Sequence, residues 1–153
     1  MYLSDVDHAS RHVPYKKQIR DDYDNPIGVL PQAFEMREHR GEDALSVNWL
    51  EYFGGKYDQN LIEAINDYRS AIKANGSKVG VKSAFAIGSV GKMHKICQEN
   101  GAPKVRIVHD NKKGAATNKS HSRIIRMPIN DLNLMSLFAS EVFNDLVRNQ
   151  DIP

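Results

Sequence analysis

The stretch that decides the fold is VKSAFAIGSVGKMHKICQENGAPKVRIVH, residues 81–109. Residues 81–88 form a short apolar run typical of a strand, and Ser89 follows as an expected helix N-cap. The helix is predicted over about 90–99, because Asn100 and Gly101 close it and Pro103 cannot extend it. Residues 104–109 predict a second strand. This strand–helix–strand unit indicates a protein that mixes both kinds of element.

Two longer amphipathic helices are predicted from apolar residues spaced three and four apart. The first covers about 58–74 and the second about 131–148. In the second, Leu134, Leu137 and Val147 lie off the main apolar stripe, which suggests a second buried surface for a partner or another copy of the chain.

The rest of the chain completes an α+β interpretation. Residues 1–45 contain several prolines and turn signals, so we expect an irregular region rich in short strands and loops. Residues 121–127 predict a strand that pairs antiparallel with 104–109. No linker divides the 153 residues, so we predict one globular domain over 1–153, with a small mixed sheet packed by two long helices and one short helix.

The composition favours a cytoplasmic protein. Cys97 is the single cysteine and cannot form an internal disulfide. The first residues lack the basic start and apolar run of a secretory leader. No apolar stretch approaches the roughly 20 residues that a membrane-spanning helix needs, so no membrane partner is expected.

Charge is distributed unevenly along the chain. Residues 1–77 carry 9 basic and 13 acidic side chains, whereas residues 78–126 carry 11 basic and only two acidic side chains, Glu99 and Asp110. Charge asymmetry of this kind is informative about partners. We expect the basic segment 78–126 to favour an anionic ligand, although a lysine-rich solvated face would give the same count.

The first candidate site is the sequence Gly88-Ser89-Val90-Gly91-Lys92. It follows a predicted strand and opens a predicted helix, where backbone N–H groups can bind phosphate. Gly88, Ser89 and Gly91 would offer these groups, and Lys92 would add charge. The spacing does not match a P-loop, and a tight strand-to-helix turn explains the same residues.

The second candidate site is the polar loop 110–120 with its flanking strands. Lys112 and Lys113 on the loop, with Arg123 and Arg126 beyond it, would neutralise phosphate. His109 and His121 would lie near each other if the strands pair directly across the loop, and they are the candidate acid–base residues. A solvated hairpin end is the alternative.

The third candidate site is Arg11 and His12, with the polar run 37–42 and the later Ser46 and Glu51; this set resembles the residue types found in ADP-ribosyl transferases that consume NAD. In those enzymes, extended N-terminal strands carry Arg or His, and a Ser and a Glu follow later. Arg11 and His12, with Ser46 and Glu51, are similar in type. The likeness implies a nucleotide-directed transferase, but it does not amount to a motif.

The remaining polar residues have structural interpretations. The six histidines show no metal-ligand spacing, so we expect no metal and no other cofactor. Cys97 is expected to be half-buried and structural. Asn48, with Glu51 three residues later, matches a capping box and predicts a helix start there.

These observations lead to one hypothesis with two alternatives. The protein is expected to bind a phosphate-bearing ligand, nucleic acid or a nucleotide, through the basic segment 78–126. The first alternative is an enzyme acting on a nucleotide, either a phosphoester hydrolase or an ADP-ribosyl-type transferase, that uses His109 and His121. The second is a protein-interaction or homo-oligomerisation module of a bacterial accessory system.

Overall fold

The computed structural model describes residues 1–111 and 117–153. Its strands are β1 (His8–Val13), β2 (Gln18–Arg20), β3 (Pro26–Val29), β4 (Leu45–Trp49), β5 (Ala84–Ser89), β6 (Arg106–His109), β7 (His121–Ile125) and β8 (Asp145–Arg148). Its α-helices are α1 (Tyr57–Ala74), α2 (Val90–Glu99) and α3 (Leu132–Leu137), and α3 continues into a π-helical turn, Phe138–Val142.

Six strands form one antiparallel sheet in the order β6-β7-β4-β1-β5-β8, and β2 and β3 form a separate hairpin. The predicted α+β class is confirmed. The strands β6 and β7 pair antiparallel, as predicted. Strands β5 and β6 are consecutive in the chain and are joined through α2, but three other strands lie between them in the sheet. The connection that contains α2 therefore crosses the sheet.

The most important element that the sequence analysis missed is β1. Residues 8–13 fall in the region expected to be irregular, yet they form a central strand of the sheet and pair with β5 along their whole length. The missed signal is weak because Ser10, Arg11 and His12 interrupt the apolar residues Ala9 and Val13. A polar central strand indicates that one part of the sheet serves something other than packing.

One face of the sheet is covered by α2, α3 and the π-helical turn. Ala9 and Val13 of β1 are fully buried there, in the same core as Val47, Phe138 and Phe143. The helix α2 has the bounds predicted for it, and the Ser89 hydroxyl accepts a hydrogen bond from the Lys92 N–H as the expected N-cap. The apolar packing on this face fixes the positions of the central strands.

The other face is covered by α1, but only in part. Ala64 and Ile65 of α1 pack on Leu50, Phe85 and Ile87, and the helix has almost the predicted bounds. Towards β4 and β7 the same face becomes polar. The strand registers bring together Ser10, Ser46, Asn48 and His121.

The helix predicted over about 131–148 is wrong beyond residue 142. The chain leaves the helical path near Phe143, and β8 pairs with β5 along the edge of the sheet. The apolar spacing alone could not show this, because the pairing partner lies some sixty residues earlier in the chain and tertiary pairing overrides local propensity.

The off-stripe residues of that helix are explained by internal packing. Leu134 is fully buried and Leu137 packs against the core of the α2 and α3 face. Val147, now on β8, packs against the core under α1. These residues therefore give no support for a second surface that binds a partner.

Candidate functional site

A cleft opens where β1 and β4 separate. The two strands pair only at Ala9–Trp49 and Ser10–Asn48. Beyond Ser10 they diverge, and a cleft of about 440 Å³ lies at the gap, partly roofed by α1. Its lining is mostly polar and includes Ser10, Arg11, His12, Lys16, Lys17, Glu35, Arg37, Glu42, Ser46, Asn48, Tyr68, Asn118 and His121. We call it the Arg11 cleft.

The guanidinium of Arg11 is fixed at the gap between the strands. Its Nε donates to the Ala33 carbonyl and its Nη1 to the Ser46 carbonyl, each at 2.7 Å. Burial lowers the pKa of Arg11 to about 10, so the group is still a cation at neutral pH. Among the residues that the structure describes, it forms no ion pair, and its Nη2 has no hydrogen-bond partner.

The carboxylates of the cleft offset this charge only in part, although the charge of Glu42 does raise the pKa of Arg11. Glu42 is held by both Nε and Nη2 of Arg37, at 2.9 and 3.1 Å, and this pairing lowers the pKa of Glu42 to about 2. Glu35 is exposed. Four cationic side chains, Lys16, Lys17, Arg11 and Arg37, thus face two carboxylates around the cleft, which leaves a net positive charge.

Lys17 responds to the same field. Burial lowers its pKa, and the neighbouring charges of Arg11 and Arg37 lower it further. A cation whose own neighbours disfavour its charge gains most when an anion arrives. The electrostatics of the cleft therefore favour an anionic ligand.

Ser46 and His121 form a hydrogen-bonded pair on adjacent strands. The Nδ1 of His121 lies 2.8 Å from the Asp110 carbonyl oxygen, and its Nε2 lies 3.1 Å from the Ser46 hydroxyl oxygen. Because a carbonyl oxygen can only accept, Nδ1 carries a proton. The neutral ring therefore presents Nε2 as an acceptor for the Ser46 hydroxyl.

A buried polar network holds the wall of the cleft beside His121. Asp67 of α1 accepts from the N–H and the hydroxyl of Ser120, at 2.8 and 2.6 Å. Asn48 donates to Ser120 Oγ at 2.8 Å and to Asn118 Oδ1 at 2.7 Å. The Asn118 side-chain NH₂ then has no partner among the described residues, so it is a second available donor in the cleft.

His12 lies at the edge of the cleft as a neutral ring. Its Nε2 is 3.0 Å from Ser83 Oγ, and it stacks on Tyr68 with ring centroids 5.1 Å apart. Burial lowers the pKa of His12 to about 4, and the charges of Arg11 and Lys17 contribute. At neutral pH this histidine is uncharged and does not add to the positive field.

The structure separates the two predicted acid–base histidines. His109 is paired with Ser122, the neighbour of His121, so the two histidines point to opposite faces of the sheet. His109 packs against Trp49, with centroids 5.4 Å apart, and its Nε2 contacts the Lys119 carbonyl at 2.7 Å. Of these two histidines, His121 lines the Arg11 cleft and His109 does not.

The predicted arginine ligands also lie outside the cleft lining. Arg123 is opposite Ser46 in the sheet, but its Nε is 2.9 Å from a carboxylate oxygen of Asp110. Arg126 follows β7 in a left-handed conformation, and its guanidinium lies 3.4 Å from the Tyr2 hydroxyl. Lys112 and Lys113 lie outside the described residues.

The predicted anion site at the start of α2 is not supported. The N–H of Val90 donates to the Asp7 carbonyl, that of Gly91 to the Asp5 carbonyl, and that of Lys92 to the Ser89 hydroxyl. A Cβ on Gly91 would lie 2.7 Å from the Asp5 oxygen, so this glycine makes room for the N-terminal segment and not for a ligand.

Gly88 also has a packing explanation. A Cβ there would lie 2.8 Å from the ring of Phe143, so the ring occupies the space that a side chain would need. Lys92 is exposed. Gly88, Ser89 and Gly91 therefore have structural roles in the turn and its packing.

Three of the four residues that resemble the ADP-ribosyl transferase set meet in the cleft: Arg11, His12 and Ser46. Glu51 does not line it. Its carboxylate accepts from the N–H of His8 at 2.6 Å and contacts the His8 ring at 2.8 Å. The expected capping box at Asn48 is wrong, since Asn48 lies in β4 and its side chain bonds Asn118 and Ser120.

Several cleft residues were not singled out from the sequence. No local pattern links them, because Lys16 and Lys17 lie in the turn after β1, and Tyr68 in α1 and Asn118 just before β7 reach the cleft only through the tertiary fold. Within the described ranges, no cluster of three or more His, Cys, Asp or Glu side chains could hold a metal ion. No helix in the same ranges is long and apolar enough to cross a membrane.

No protein-family model matches the chain, and no curated protein or solved structure with significant similarity to it is found. The class that the structure itself defines is an α+β domain with a cationic cleft at the centre of an antiparallel sheet.

Proposed function

We propose that the protein binds a small phosphate-bearing ligand of the nucleotide class in the Arg11 cleft. The observation that carries the proposal is Arg11 itself, a partly buried cation with no carboxylate partner among the described residues. Keeping a charge out of water without a partner is costly. An anionic ligand would supply that partner.

The shape of the cleft favours a small ligand over a nucleic acid. Its volume of about 440 Å³ lies within the range typical of small-molecule sites. The arginine guanidinium matches phosphate oxygens in geometry as well as in charge. The two arginines predicted from the basic segment lie outside the cleft lining, because Arg123 is paired with Asp110 and Arg126 lies beside Tyr2.

Calorimetric titration with inorganic phosphate, AMP and ATP tests the proposal. In Arg11→Gln the charge is removed, while the amide can still donate to one of the two carbonyl groups. We expect affinity to fall about 10- to 100-fold, as for the loss of a hydrogen bond to a charged group. Arg126→Gln removes the same charge from the basic segment and should change affinity less than about twofold.

Two results would overturn the proposal. One is the absence of binding by the wild-type protein to all three probes at millimolar concentration. The other is unchanged affinity in a folded Arg11→Gln variant, with circular dichroism as the check of folding. A loss of affinity confined to Arg126→Gln would instead support the basic segment as the ligand surface.

A further inference from the structure

We propose that Ser46 is a nucleophile and His121 its general base, so that the Arg11 cleft hydrolyses a phosphate ester through a phosphoserine intermediate. The proposal rests on the phosphate binding proposed above. It adds a reaction to that site and assigns the reacting atoms.

The first support is the direction of the Ser46–His121 hydrogen bond. The Asp110 carbonyl accepts from Nδ1–H of His121, so in the neutral ring Nε2 accepts from the Ser46 hydroxyl at 3.1 Å. A nucleophile bonded to a base, with the base oriented by a third group, is the arrangement that activates a serine. Here the third group is a backbone carbonyl, and the Asp110 carboxylate lies 3.8 Å from Nδ1.

The second support is exposure. His121 is 3% exposed, so its ring is held by its surroundings. Ser46 is exposed and lines the cleft. The base is thus buried and oriented, while the nucleophile remains accessible to a ligand, which is the division of roles that a covalent mechanism needs.

The third support is the position of the cation. Arg11 Nη1 donates to the backbone carbonyl of Ser46, the same residue whose hydroxyl faces His121. A phosphate bound by the remaining guanidinium N–H groups would therefore lie next to the residue that carries the nucleophile. The Asn118 amide, which also lines the cleft, provides a further donor for the charge that develops on phosphate oxygen.

The reaction balances without a further reactant except water. The Ser46 oxygen attacks phosphorus, its proton passes to His121 Nε2, and the bond from phosphorus to the leaving alcohol breaks as that proton is delivered to the alcohol oxygen. Water then attacks the phosphoserine and gives its proton to Nε2. The Oγ–P bond breaks, the proton returns to Ser46, and phosphate leaves.

A fluorophosphonate probe tests the nucleophile without knowledge of the substrate. The Ser46 oxygen would form a bond to phosphorus and fluoride would leave, while His121 accepts the proton. We expect mass spectrometry to find the adduct on Ser46 in the wild-type protein. Inorganic phosphate should slow labelling by competing for Arg11.

Two variants and one control sharpen the test. Ser46→Ala removes the labelled atom. In His121→Asn, the amide NH₂ can take the place of Nδ1–H as the donor to the Asp110 carbonyl, but no base remains beside Ser46. Labelling should therefore slow at least about 100-fold, the usual contribution of general-base catalysis. Ser140→Ala, which removes an exposed hydroxyl bonded to its own helix, should label like wild type.

The two proposals fail in different ways. If the wild-type protein binds AMP but its Ser46 is never labelled, the catalytic proposal is overturned and phosphate binding stands. Labelling that is equally fast in His121→Asn also overturns it. If the wild-type protein neither binds AMP nor is labelled, both proposals fail together. Turnover of p-nitrophenyl acetate without turnover of p-nitrophenyl phosphate would reassign the site to acyl esters.

Discussion

Two regions of this molecule place positive charge beside hydrogen-bond donors: the start of α2 and the Arg11 cleft. At the start of α2, protein oxygens from Asp5, Asp7 and Ser89 take the N–H groups. In the cleft, Arg11 binds two backbone carbonyls and still presents Nη2 without a partner among the described residues. The pattern of residue types is similar, but only the second region has unused capacity.

The difference shows that an N–H group can be assigned to a ligand only after the protein acceptors within its reach have been identified. Glycine and lysine after a strand indicated an anion site at α2, yet the N-terminal segment, more than eighty residues earlier, completes that helix end. The cleft carried no such motif. Its charge is available because β1 and β4 diverge there and α1 covers it only in part.

The largest expected effect in this comparison is the pH dependence of folding stability that His12 causes at the edge of the cleft. Its pKa is about 4 in the folded protein, against an ordinary value of 6.5. As the pH falls, His12 therefore takes up its proton at a higher pH in the unfolded chain than in the folded one. The contribution of neutral His12 to stability is fully present above pH 6.5 and is lost as the pH falls towards 4. We expect a loss of about 2 to 3 kcal/mol.

Chemical denaturation at pH 7 and pH 4.5 measures this loss. His12→Gln has no titrating ring, so its stability should change less over the same interval. An identical pH dependence in both proteins would show that His12 is not held neutral by the cleft.

The next effect distinguishes packing from binding at the start of α2. Gly88→Ala would place a methyl group against the Phe143 ring, and overpacking of this kind costs about 1 to 3 kcal/mol of unfolding free energy. Affinity for AMP should change less than about twofold, because neither Gly88 nor Phe143 lines the cleft. The double variant with Phe143→Leu should recover part of the stability. A weaker affinity with unchanged stability would contradict this assignment.

The smallest effect is expected at Lys92. Lys92→Ala removes an exposed charge outside the cleft, so stability should change by less than about 0.5 kcal/mol. Affinity for AMP should change less than about twofold, in contrast to Arg11→Gln. A tenfold loss of affinity in the calorimetric titration would return the anion site to the start of α2 and break the comparison.

The sequence predicted elements whose signals are local. The periodicity of 58–74 and the cap and stop of 90–99 depend on neighbours along the chain, and both helices have nearly the predicted bounds. The last helix was extended too far because residues 145–148 pair with β5, which no local pattern records. Polar β1 was missed for the same reason.

The candidate site could be predicted only in its residue types. His121, Arg11, His12 and Ser46 were each singled out, but in two separate hypotheses, because their proximity depends on strand register. In the observed register His109 pairs with Ser122, and a shift of one residue in the pairing of β6 with β7 would instead place His109 opposite His121, on the same face. Loop length does not determine that register.

The narrow seam between β1 and β4 has a consequence for which sequences this fold can accept. Only two residue pairs join one three-stranded half of the sheet to the other, and the Arg11 side chain adds a third cross-link by bonding the backbone of β4. One side chain therefore serves as a rung of the sheet and as the cation of the cleft. Arg11→Lys would keep the charge, but lysine has a single nitrogen in place of the separate guanidinium nitrogens. This conservative substitution would therefore weaken the link between β1 and β4 and also change the cleft.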